Sequence, residues 1–187
     1  MQALLASYEK DANLLRLGKL LQSSGWKLTG SAGTAKYLSE NGIPCEDVGT
    51  KIGQPILGHR VVTLAREIYA ALLSTPNDSA ELSRLGLEPY DLVYVTLYPL
   101  EKTIASGGTD ADVVEKTDIG GPTLLRAAAK GRRIVLSSPE QIDELETRIK
   151  NGSLNDEKYR VALAAAAERR VADYVATSAN YWEKKVK

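Results

Sequence analysis

Trp26-Lys27-Leu28-Thr29-Gly30-Ser31-Ala32-Gly33-Thr34-Ala35-Lys36-Tyr37-Leu38-Ser39-Glu40 decides the fold class. Trp26 to Thr29 reads as an apolar strand, Gly30 to Thr34 as a loop of small residues, and Ala35 to about Glu40 as a short helix. Upstream, Ala3 to Ala6 reads as a buried strand. Leu14, Leu15, Leu17, Leu20 and Leu21 then recur at helical spacing until Ser23-Ser24-Gly25 closes the turn. Downstream, Ile43 to Val48 is expected as a third strand and the segment from Arg60 to Ser74 as a helix, with Thr75-Pro76-Asn77-Asp78 as a turn. Residues 91–97 make the most apolar strand, 132–136 a later one, and Pro139 to Lys150 a charged surface helix. Alternating strand and helix predicts an α/β fold: a doubly wound, mostly parallel sheet with helices on both faces. Right-handed crossovers then gather the loops that follow the strands along one edge, where ligands collect. Asp156 to Lys187 reads as one long alanine-rich helix or a pair of helices.

Composition bounds the function. The 187 residues suit one domain, expected to span 1–187, and can bury roughly 70% of their unfolded surface. The 24 basic and 24 acidic side chains cancel, which argues against a nucleic-acid partner. The only cysteine, Cys45, forbids an internal disulfide, and the only histidine, His59, rules out a metal site built from several histidines. The opening residues lack a basic n-region and a long apolar stretch, and no run approaches membrane-spanning length. A cytoplasmic protein without a membrane partner is expected.

Two stretches carry chemistry. In Asp118-Ile119-Gly120-Gly121-Pro122-Thr123-Leu124-Leu125-Arg126-Ala127-Ala128-Ala129-Lys130 an acid precedes two glycines and a proline that open an alanine-rich helix. Proline suits the first turn, the glycines let backbone amides approach a ligand, and such a helix start favours negative charge. Asp118 and Lys130 bracket the element, so an acid and a base are expected to face one pocket. In Asp91 to Thr103 an apolar strand runs into Tyr98-Pro99. Between them the Gly30–Lys36 loop offers amides and the hydroxyls of Ser31 and Thr34 to an anion.

Together these stretches resemble the IMP cyclohydrolase domain, the N-terminal half of the bifunctional AICAR transformylase/IMP cyclohydrolase family, which has a methylglyoxal synthase-like fold. The family writes N-L-Y-P-F-E-K-T and D-I-G-G-P-T-M-L-R-A-A-A-K, and the likeness runs from Ala3 to about Trp182. It implies closure of the purine ring of FAICAR to IMP with loss of water, without metal or cofactor, in a homodimer, and here without a transformylase domain. By position, the resemblance puts the substrate phosphate at Ser31, Gly33 and Thr34, with Lys10 and Arg60 as cations. It puts the reacting end at Tyr98, Asp118 and Lys130, with Thr63, Ile119, Gly120 and Gly121 around the base.

The sequence also departs from the family. Ala6 and Tyr8 replace two serines of the first phosphate turn, and Gly30 and Ala32 replace a serine and a glycine of the second. Val62 and Ala65 stand where the family has a lysine and a histidine, and Thr96 and Gly131 where it has asparagines. Arg66 and Lys102 are the candidates to replace the missing cation. Three readings follow: an IMP cyclohydrolase, a diverged enzyme acting on a related ribotide, and a nucleotide-binding module without catalysis.

Overall fold

The computed structural model describes residues 1–58 and 60–186; His59 and Lys187 lie outside the described residues. Five strands form one all-parallel sheet in the order β3-β2-β1-β4-β5. They are β1 (Gln2–Ser7), β2 (Lys27–Gly30), β3 (Glu46–Asp47), β4 (Leu92–Thr96) and β5 (Ile134–Leu136). In β1 the consecutive residues Ala3, Leu4 and Leu5 are all fully buried. Neighbouring residues of a strand face opposite ways, so helices cover both faces, as a parallel sheet requires.

Helix α1 (Ala12–Ser23) connects β1 to β2, and α2 (Ala32–Glu40) connects β2 to β3. Asp11 caps α1 by accepting from the Leu14 amide at 3.0 Å. Helix α2 starts three residues earlier than expected, with Ser31 at its N-cap. The third strand shrinks to Glu46–Asp47. Pro44 has no amide to give a ladder, while Ile43 is buried in the core instead. The short α3 (Gly49–Ile52) follows.

The expected helix from Arg60 to Ser74 is confined to α4 (Arg66–Leu73). Val61, Val62 and Thr63 form a β-branched run that resists helix, and Val61 forms an isolated antiparallel bridge with Ile56. A 3-10 turn at Pro76–Asp78 and α5 (Ser79–Arg84) lead to β4. Then α6 (Leu100–Ala105), α7 (Asp110–Glu115) and α8 (Gly120–Lys130) return the chain to β5. Helix α8 packs on β4 and β5 through Leu124, Leu125, Ala127, Ala128 and Ala129, all buried.

The helix expected over Pro139–Lys150 is a 3-10 turn followed by α9 (Ile142–Lys150), whose Ile142 and Leu145 are fully buried. The tail is a single helix, α10 (Glu157–Glu183), laid across α8 and β5. Its Tyr159, Leu163, Ala167 and Val171 are buried along one stripe, and alanines there allow close helix approach. Among the described residues no helix is long and apolar enough to cross a membrane.

The strand order reverses between β1 and β4: β2 and β3 lie on one side of β1, and β4 and β5 on the other. In such sheets the crevice at the carboxyl ends of the two central strands is where ligands bind. Here those ends are Ser7 and Thr96, which pair in register.

Candidate functional site

The first half of the crevice is built where β1 and β2 end. Thr34, in the first turn of α2, is fully buried, and its hydroxyl accepts from the Ser7 amide at 3.1 Å. The Ser31 hydroxyl donates to the same Thr34 oxygen at 3.0 Å. These hydroxyls therefore staple the end of β1 to the start of α2. What faces outward is the helix start itself, whose first amides have no intrahelical acceptor. Lys10 closes on it: a Cβ at Gly33 would stand 3.6 Å from Lys10 Cε and 3.9 Å from its Nζ. The Lys10 ammonium donates to the carbonyls of Ser7 and Tyr8, and partial burial pushes its pKa down. A lysine beside open helix amides makes an anion cradle.

The second half is built where β4 ends and α8 begins. The Asp118 carboxylate accepts from the Gly121 amide at 3.0 Å. Burial raises its pKa, and the amides of Gly121, Tyr98 and Gly120 oppose that shift. Asp118 thus caps α8 and ties it to the end of β4. Only glycine allows this approach: a Cβ on Gly121 would run into Asp118 Oδ2 and stand 2.7 Å from Leu97 Cδ2. A Cβ on Gly120 would meet Thr63 Oγ1 at 3.0 Å, so buried Thr63 also arrives at this helix start. The Tyr98 hydroxyl has a raised pKa, first from burial and then from the charges of Asp118 and Glu115. It stays a proton donor at neutral pH.

Lys10, Ser31, Gly33 and Thr34 therefore meet at one end of the crevice, and Tyr98, Asp118, Gly120, Gly121 and Thr63 at the other. Ile119 lies beside them with its side chain exposed. Two expected residues are not joined to this group. The Arg60 guanidinium donates to the Leu57 carbonyl of its own loop at 2.8 Å. Lys130 closes the far end of α8, ten residues beyond Gly120, so the helix rise puts it roughly 15 Å away along the axis. There α8 meets the end of α4, and Asp118 and Lys130 do not face one pocket within this chain. The proposed substitutes Arg66 and Lys102 are both exposed, and Arg66 pairs with Glu67 at 3.3 Å.

Four residues of the site lie outside these expectations. Tyr8 rises beside Tyr98, ring centres 5.0 Å apart and tilted by 56°. Lys116 sits over both rings, its Nζ 6.0 Å from one centre and 5.9 Å from the other. Thr96, at the family's asparagine position, accepts from the Tyr8 amide at 2.8 Å and shares a 2.8 Å hydrogen bond with the Ser7 hydroxyl. Tyr174 reaches in from α10, donating to the Lys116 carbonyl at 3.0 Å and accepting from the Asp118 amide at 2.8 Å. The Ser7–Thr96 register would have found Tyr8; nothing local in the sequence announces Tyr174.

A separate hollow of about 320 Å³ lies at the opposite edge, among Ser74, Pro76, Leu82, Leu87, Pro89 and Arg133. Its guanidinium is already engaged: Arg133 donates to the carbonyls of Leu72 at 2.8 Å and Ser74 at 2.5 Å. Converging polar groups favour the sheet crevice as the site.

A parallel sheet with an anion cradle at its switch point defines a class that comparison identifies. Residues 13–123 match the MGS-like domain model, and the chain belongs to that family. It is 40% identical over 160 residues to the bifunctional purine biosynthesis protein PurH of Aquifex aeolicus (strain VF5), covering 82% of this chain and 31% of the relative. With PurH of Natranaerobius thermophilus it shares 36% identity over 186 residues, 97% of this chain and 36% of the relative. The chain thus spans about a third of the length of the curated relatives it matches. A solved structure titled "Crystal structure of ForH" superposes with a TM-score of 0.80 at 32% identity, over 96% of this chain and 97% of the other.

Proposed function

We propose that the chain is an IMP cyclohydrolase-type enzyme that closes the six-membered ring of a purine ribotide. One observation carries the reading: the anion cradle of Lys10 and the start of α2 shares the crevice between β1 and β4 with the Tyr98 hydroxyl and the capped Asp118 carboxylate. The likeness to PurH proteins, named for purine biosynthesis, supports it.

In this reading the ribotide phosphate docks at the α2 amides and Lys10. The carboxamide nitrogen attacks the formyl carbon and the C–N bond forms. That nitrogen loses one proton, the formamido nitrogen loses another, and the formyl oxygen takes both and leaves as water. The Tyr98 hydroxyl, still protonated, donates to the oxygen as it becomes negative. Asp118, raised in pKa by burial, accepts the nitrogen's proton. The amides that cap it keep its geometry fixed through the step.

The test is incubation of the purified chain with FAICAR, followed by the ultraviolet change as IMP forms. Turnover that falls steeply in Tyr98→Phe supports the reading; IMP binding without turnover points instead to a binding module. A homodimer belongs to the same reading and is tested by sedimentation velocity.

A second reading keeps the chemistry and changes the substrate. Val62, Ala65 and Tyr8 alter polarity and bulk around the crevice, which favours a related ribotide over FAICAR. Turnover of such a ribotide with none of FAICAR would select it.

A further inference from the structure

We propose that Lys116 is the cation of the reacting end, its ammonium holding an anionic oxygen on the heterocycle beside Tyr98. The inference rests on the ribotide reading above and adds a residue that the family motifs do not contain.

Geometry comes first. The Lys116 ammonium lies about equally far from the rings of Tyr8 and Tyr98, at 6.0 and 5.9 Å. That is the outer limit of cation–π attraction, so neither ring consumes the charge. Asp112, one turn back on α7, feels the ammonium but spends its carboxylate on the amide and hydroxyl of Thr109, at 2.9 and 2.6 Å. The backbone of Lys116 is fixed at both ends. Its amide donates to the Asp112 carbonyl at 3.0 Å, and its carbonyl accepts from Tyr174 at 3.0 Å.

Charge comes second. Asp118 and Glu115 both act on Tyr98, so an oxygen turning negative there would meet two carboxylates. A nearby positive charge is needed to offset them. The other expected cations are committed or remote. Arg60 holds the Leu57 carbonyl, Lys10 stands beside Gly33 in the phosphate cradle, and Lys130 ends α8 at the far edge. Beside Thr63, Val62 stands where the family has a lysine, and Arg66 pairs with Glu67. Lys116 is the ammonium that the fold brings to the Tyr98 ring.

The probe is a pair of nucleotides that differ in the charge of the base. Xanthosine 5′-monophosphate carries an ionised ring at neutral pH, and IMP a neutral one; the phosphate is common to both. Each is titrated calorimetrically into the full chain as wild type, Lys116→Gln and Lys116→Arg. The wild type is expected to hold the xanthine nucleotide about tenfold more tightly than IMP, about 1.4 kcal/mol. Lys116→Gln is expected to erase that ratio and Lys116→Arg to keep most of it. The ratio compares two ligands on one protein, so any loss of folded material cancels. An unchanged ratio in Lys116→Gln overturns the inference and leaves the ribotide reading standing. Equal loss for both nucleotides also overturns it, because Lys116 would then serve the phosphate. Failure of the wild type to bind either nucleotide overturns the ribotide reading, and the inference with it.

Discussion

The Asp118 amide donates to the Tyr174 hydroxyl at 2.8 Å, which fastens the start of α8 to a helix that begins nearly forty residues later. The same hydroxyl donates to the Lys116 carbonyl, and burial pushes its pKa up to about 12. One phenol therefore fixes the whole 116–118 segment. Tyr174→Phe leaves the ring packed and removes both bonds. The expected loss of stability is about 1–3 kcal/mol, read from urea unfolding, together with weaker nucleotide binding. A variant with wild-type affinity would show that the segment holds its position without the phenol.

Gly121 tests the close approach at the head of α8. Gly121→Ala forces its new methyl against Asp118 and Leu97, and rigid neighbours make such overpacking cost about 1–3 kcal/mol. The midpoint of denaturant unfolding should fall accordingly. Wild-type stability would mean that the Asp118 cap shifts freely.

Lys10 and Tyr98 should separate kinetically. Lys10→Ala removes the cradle's ammonium and is expected to raise KM at least tenfold with a smaller change in kcat. Tyr98→Phe is expected to lower kcat more than it changes KM, because its bond strengthens as the oxygen turns negative. Steady-state kinetics over a range of ribotide concentrations distinguishes the two, and swapped effects would reverse the orientation of the ligand.

Arg133 caps the end of α4 through the carbonyls of Leu72 and Ser74, half-buried and with its pKa lowered by burial. Arg133→Met keeps the stem and strands those carbonyls. The expected destabilisation is about 2–3 kcal/mol, seen as a lower melting temperature, with nucleotide affinity unchanged because the site lies at the other edge.

Acid should loosen the contact between α1 and α9. Glu146 accepts from Arg16 at 2.5 Å and from Lys150 at 2.7 Å, and these bonds pull its pKa from 4.5 to about 2. A depressed folded pKa means that the native chain binds fewer protons than the unfolded one. The contribution is therefore present above pH 4.5 and is lost as the pH falls toward 2. Glu146→Gln should flatten the fall in stability across that window. The effect should also shrink in high salt, since both partners, Arg16 and Lys150, are exposed.

The apolar runs make β1, β2, β4 and β5 legible in the sequence, and the alternation with helices makes the parallel sheet legible too. The segment from Arg60 to Ala65 reads as helix only if its β-branched residues are discounted. Their stiff side chains keep it out of the helix, and Thr63 comes to the start of α8. Within this chain the rise of an α-helix alone separates Lys130 from Asp118, a distance that the motif spacing already implies. Tyr8 reads as a lost serine until the pairing of Ser7 with Thr96 sets it next to Tyr98. Lys116 and Tyr174 come to the crevice through tertiary packing, for which a linear pattern carries no signal.

The position of Tyr174 has a consequence for biogenesis. The ribosome delivers every strand of the sheet by Leu136, well before α10 emerges, so the nascent chain can fold its central layer while the pocket is still missing a brace. Completion of the crevice should then wait until α10 has emerged and docked on α8.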